Sequence, residues 1–140
     1  QIFSAARKQA VGPTMAILDS IGLAGKADNV SGSLSHGDQK VLEIAVALGS
    51  DPQLLILDEP TAGMSPEETA TTLALMKRLS GQMSITVLFC EHDMNLVFAI
   101  ADRIMVMHQG RTLIEADPQT VRQNVHVQEA YLGGADQCFV

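Results

Sequence analysis

Residues 54–61 read Leu54-Leu55-Ile56-Leu57-Asp58-Glu59-Pro60-Thr61. Four consecutive aliphatic residues describe a strand covered on both faces, and two adjacent acids end it. Paired carboxylates at the end of a buried strand are unfavourable unless something uses them. One such use is phosphoryl transfer, in which one carboxylate holds Mg²⁺ and a second group orients or activates the attacking water. Taken alone, Asp58-Glu59 is more simply two exposed acids at a strand end, so the surrounding sequence decides.

Upstream, residues 38–48 read as a helix with Val41, Leu42, Ile44, Ala45 and Leu48 on its buried face, stopped by Gly49, Ser50, Asp51 and Pro52. Residues 13–22 read as another helix, with the stripe Ile17, Leu18 and Ile21, stopped by Gly22 and Gly25. Gly12-Pro13 is expected to interrupt any helix in the first dozen residues. Downstream, Pro66 to Leu79 reads as a helix with Ser65 as N-cap and with Glu67 and Glu68 in its first turn. Ile85 to Cys90 reads as a second buried strand and Met94 to Ala101 as a helix. Ile104–Met107 and Thr112–Ile114 flank Gln109-Gly110 as a β-hairpin, and one or two helices follow over 118–132. Strands alternating with helices imply an α/β fold with a parallel sheet. Ligands in such sheets gather at the carboxyl ends of the strands, where Asp58 and Glu59 stand.

The 140 residues suffice for one domain, with 46% hydrophobic and 18% charged residues. A net charge of −7 argues against nucleic acid as a partner. Cys90 and Cys138 form no zinc pattern; Cys90, in an apolar run, is expected to be a core thiol and Cys138 a free one. No run approaches the ~18 apolar residues of a membrane span, and no signal peptide is legible. The start at Gln1 without methionine suggests truncation. Work at a membrane would go through a partner.

Two further segments change the weight of Asp58-Glu59. Leu34-Ser35-His36-Gly37-Asp38-Gln39 precedes it, and Glu91-His92-Asp93 follows the second strand. In this order, Leu-Ser-x-Gly-x-Gln, Leu-Leu-Ile-Leu-Asp-Glu-Pro-Thr and a histidine after the next strand resemble the signature, Walker B and switch motifs of ABC-transporter ATPases. The resemblance covers essentially all 140 residues but only the later part of such an ATPase domain. It implies part of a P-loop NTPase (RecA-like) parallel sheet flanked by helices, with part of the ABC helical subdomain and a C-terminal β-hairpin. Residues 1–50 would belong to the helical subdomain and signature helix, and 51–140 to the catalytic core.

The same resemblance implies roles. Asp58 would bind Mg²⁺, through water, and Glu59 would be the general base. His92 would contact the γ-phosphate of ATP. Ser35, Gly37 and Gln39 would lie near the γ-phosphate of ATP held by a second ABC ATPase subunit, a placement that suits the anion-binding start of a helix. Residues 62–65 would form the loop that crosses that interface. Two residues depart from the family pattern: His36 stands for the first signature glycine, and Ser65 for the loop aspartate. No role falls to His108, expected in the hairpin turn, or to His126, expected on a helix surface.

A phosphate-binding loop, Gly-x-x-x-x-Gly-Lys-Ser/Thr, is absent from these residues. Gly22-Leu23-Ala24-Gly25-Lys26-Ala27 mimics it with short glycine spacing, no hydroxyl at Ala27 and a helix rather than a strand before it. The chain alone is therefore expected not to hydrolyse ATP, and its uncovered strand edges favour oligomers.

The stretches Leu34–Lys40, Asp58–Glu68, Glu91–Met94 and Val127–Gly133 are similar to branched-chain amino-acid uptake subunits. Urea-uptake subunits, a non-transport ABC ATPase and a non-functional gene fragment remain alternatives. An uptake subunit would join transmembrane permease subunits and sit peripherally on the cytoplasmic face of the cell membrane.

Overall fold

The computed structural model describes residues 2–131. In chain order it contains α1 (Ile2–Ser20), α2 (His36–Leu48), β1 (Leu54–Asp58), α3 (Pro66–Met83), β2 (Thr86–Cys90) and α4 (Met94–Ile100). Then come β3 (Ile104–His108), β4 (Arg111–Ala116), α5 (Pro118–Gln123) and α6 (Val125–Tyr131). The chain forms two compact units, one ending at Glu91 and the other beginning at His92.

In the first unit β1 and β2 pair in parallel, Leu54 opposite Thr86 through Asp58 opposite Cys90. Its core joins Ile21 and Leu23 with Val41, Ile44, Ala45 and Leu48 of α2, Leu55 of β1, Leu75 and Leu79 of α3, and Ile85. Each helix therefore contributes the stripe its spacing prescribes. α3 starts on a capping box: Ser65 Oγ accepts from Glu68 N–H at 3.3 Å, and Glu68 Oε2 accepts from Ser65 N–H at 3.0 Å. Its far end runs past Leu79 to Met83, where Ser84 turns left-handed (φ 55°) and Ile85 N–H donates back to Leu79 O at 3.1 Å.

The second unit packs the antiparallel pair β3–β4 on Val121 and Val127, with Met94, Val97 and Phe98 of α4 alongside. Gln109 and Gly110, at φ 49° and 74°, make the tight turn expected of the hairpin. His108 ends β3 opposite Arg111 rather than sitting within that turn. His126 is exposed on α6, 3.5 Å from Glu129. The region 118–132 divides into two helices because Asn124 ends α5 in extended backbone; its Oδ1 then accepts from His126 and Val127 N–H. Residue 132 and Cys138 lie outside the described residues.

Several expectations are corrected. Gly12-Pro13 does not interrupt the first helix; α1 runs through Pro13. Residues 10–16, around the proline, are exposed. The β1 strand is not covered on both faces. Leu55 is buried and Leu57 packs on the core, but Leu54 and Ile56 are 51% and 65% exposed. Cys90 is not a core thiol: it is exposed, on the outward face of β2 with Leu88. For the strand residues the reason is the same, because one core covers one face of a two-stranded sheet and period-two alternation turns every second residue outward.

Candidate active site

Asp58 is the last residue of β1 and Glu59 the first beyond it, both exposed. The chain turns sharply here. Glu59 has φ 43°, in the left-handed region that a side chain disfavours, and its N–H donates to Cys90 O at 3.0 Å. Ala62 N–H then closes a turn on Glu59 O at 3.1 Å. Pro60 and Thr61 are buried, so the loop is anchored beneath the two acids. Thr61 is held by Glu91, whose Oε1 accepts from its N–H at 3.2 Å and from its Oγ1 at 2.7 Å.

Among the described residues, no group of three or more His, Cys, Asp and Glu side chains could enclose a metal ion. Mg²⁺ ordinarily takes one or two carboxylates and fills its remaining positions with water and substrate phosphate oxygens. An exposed Asp58 at a strand end fits that demand.

The signature segment forms the start of α2, which begins two residues earlier than its apolar pattern indicates. Ser35 is the N-cap, and its Oγ accepts from Asp38 N–H at 3.1 Å. Gly37 lies in the first turn and is buried. Gln39 is half-buried, with its Nε2 donating to Leu34 O at 3.1 Å. Lys26 of the decoy glycine segment pairs with Asp38. The Lys26 ammonium, with help from Ser35, holds the Asp38 carboxyl below the usual aspartate range.

The loop after β1 meets this helix start directly. Ser35 Oγ donates to Glu68 Oε1 at 3.0 Å. A Cβ on Gly37 would come within 2.5 Å of that same oxygen. Glu68 is pulled below its ordinary range, first by the Ser65 N–H, then by the Ser35 and Ser65 hydroxyls. His36, which departs from the family pattern, lies against Gly63: a Cβ there would sit 3.2 Å from the imidazole. Gly63 also has φ 74°, so glycine meets both demands at once. Ser65 meanwhile caps α3.

The structure thus joins Ser35 and Gly37 to the first turn of α3, and His36 to the loop that follows Asp58 and Glu59. His92 belongs to the second unit, exposed on the connection leading to α4, where Asp93 is the N-cap and accepts from Asn95 N–H at 2.9 Å. Glu68 and Glu91 are the residues that motif reading passes over. Ser65-x-x-Glu68 is a legible capping box, but nothing local marks Glu91 as the partner of a threonine thirty residues earlier.

The family model described as ABC transporter matches residues 5–62. The chain is 42% identical over 118 residues to the high-affinity branched-chain amino acid transport ATP-binding protein BraF of Pseudomonas aeruginosa, covering 84% of this chain and 46% of that protein. It is 41% identical over 133 residues to LivG of Escherichia coli, which has the same description, covering 95% of this chain and 52% of LivG.

Among solved structures, the ADP conformation of an ABC-transporter ATP-binding cassette superposes with a TM-score of 0.78 at 30% identity, over 86% of this chain and 49% of that one. A nucleotide-free cassette superposes at 0.81 and 28% identity, over 90% and 51%. The chain thus spans about half the length of the relatives it matches. Its α/β architecture is that of these cassettes, and the chain belongs to the ABC transporter ATP-binding family.

Proposed function

We propose that this chain is the later part of an ATP-binding subunit that energises an ABC importer for branched-chain amino acids. The observation that carries the reading is Glu59: an exposed carboxylate just past a parallel strand, on left-handed backbone tied to the neighbouring strand. Glu59 accepts the proton of the attacking water. Asp58 would hold Mg²⁺, which when bound would offset charge on the phosphate oxygens. Ser35, Gly37 and Gln39 face the γ-phosphate of ATP held by a second ATPase subunit, at the positive dipole end of α2. His92 contacts the γ-phosphate.

Residues 1–50 act as helical subdomain and signature helix, and 51–140 as catalytic core. Transmembrane permease subunits hold the assembly at the cytoplasmic face of the membrane. Among the described residues, no helix is long and apolar enough to cross it.

The phosphate loop is not among these 140 residues, so the site is shared with chain outside them. The purified chain should show no Mg²⁺-dependent ATP turnover. Joined downstream of the phosphate-loop half of a relative such as LivG, it should turn over ATP, and Glu59→Gln should lower that rate by roughly 10²–10⁴-fold. Turnover by the chain alone that Glu59→Gln abolishes would refute the shared site. Full activity of the Glu59→Gln fusion would refute the base.

A further inference from the structure

Among the described residues, Thr61 is with Thr72 one of two buried polar residues, 8% exposed and two positions past Glu59. Both of its polar hydrogens go to one atom, Glu91 Oε1, from the N–H at 3.2 Å and from Oγ1 at 2.7 Å. Glu91 follows β2 just as Glu59 follows β1, and the strands are in register up to Asp58 opposite Cys90. Asp58, Glu59 and Glu91 therefore all stand at the carboxyl ends of the paired strands. That one carboxylate oxygen accepts both hydrogens of a single buried threonine argues that the contact serves a purpose. Charged acceptors also make stronger hydrogen bonds than neutral ones.

That purpose is legible in the backbone. A glutamate does not settle at φ 43° by its own preference; surrounding contacts must impose it. Two bonds use main-chain groups of Glu59, its N–H to Cys90 O and its carbonyl to Ala62 N–H, and any residue at that position could make them. The clamp of Glu91 on Thr61 depends on side chains. It fixes the loop two residues beyond Glu59, across the buried Pro60.

We propose that Glu91 is a positioning residue for Glu59: by taking both hydrogens of Thr61 it locks the loop that holds Glu59 in left-handed backbone. The importance of this for turnover rests on reading Glu59 as the base; the geometric claim does not.

The test uses the chain itself by NMR, so its failure is distinct from failure of the Glu59 assignment. The three-bond HN–Hα coupling and the Cα shift of Glu59 report its φ, and amide exchange at Thr61 reports the clamp. Glu91→Ala should move the Glu59 signals toward extended backbone and speed Thr61 exchange about tenfold or more. Glu91→Gln keeps an acceptor oxygen and should preserve both signals. Thr61→Val keeps the volume while removing the 2.7 Å bond, and should reproduce the alanine result in part even if Glu91→Ala fails to fold. General loss of stability would not change φ in the folded population. Glu59 signals unchanged in Glu91→Ala or Thr61→Val would overturn the proposal, even with faster exchange at Thr61. So would Glu91→Gln behaving like Glu91→Ala.

Discussion

At Glu59 the fold stores strain where the proposed chemistry needs a carboxylate. Left-handed backbone costs a residue with a Cβ roughly 1–2 kcal/mol, and glycine escapes most of that cost. Glu59→Gly should therefore stabilise the chain against urea by up to about 1 kcal/mol, after allowing for the greater freedom glycine has when unfolded. Glu59→Gln should leave stability nearly unchanged, because it keeps the Cβ. A Glu59→Gly variant less stable than Glu59→Gln would show that the strain is absent. The motif Leu-Leu-Ile-Leu-Asp-Glu names this residue in the sequence. Its dihedral angle could not be read there, since Cys90 O meets Glu59, and Glu91 meets Thr61, from the end of a strand about thirty positions away.

At the scale of elements, helix starts carry much of the polar order. Ser35, Ser65, Asp93 and Asp117 each accept from the backbone of the helix they cap. Ser65→Ala should cost about 1 kcal/mol of stability, measured by urea titration.

The carboxylates at these starts also set a pH dependence. Asp38, Glu68 and Asp117 are all held below their ordinary ranges, Asp38 chiefly by Lys26, Glu68 by the Ser65 N–H and Asp117 by the Thr120 hydroxyl. A depressed carboxyl binds its proton less readily when folded than when unfolded. Its contribution is therefore complete above the ordinary carboxylate range and is lost as pH falls through that range to the lowered values. The urea midpoint should be flat near neutrality with respect to these three groups and should drop on acidification. Glu68→Gln should make that drop shallower, and an unchanged acid slope would count against the Glu68 network. The Ser65 cap was legible because N-cap chemistry is local. The bond from Ser35 to Glu68 was not, since it spans 33 positions between two helices.

Over the whole molecule, the outward face of the β1–β2 sheet is the largest departure from what the pattern promised. Leu54, Ile56 and Leu88, at 51%, 65% and 54% exposed, line it together. Exposed apolar faces and unpaired strand edges promote association. The purified chain should therefore show an apparent mass that rises with concentration in light scattering, and Ile56→Thr with Leu88→Thr should reduce the rise. A concentration-independent monomer would refute this.

The sequence by itself determined the element order, the hairpin turn at Gln109-Gly110, the helix caps and the motif series. Each follows from residue preferences acting over a few positions or from a resemblance carried in consecutive residues. Tertiary structure alone decided that Leu54, Ile56 and Cys90 face outward, that Pro13 lies inside a helix, that Gly37 makes room for Glu68, and that Glu91 clamps Thr61. An apolar run states only that a face can be buried. Whether it is buried depends on what the rest of the chain brings against it, and a contact between distant residues exists only once the backbone has set their separation.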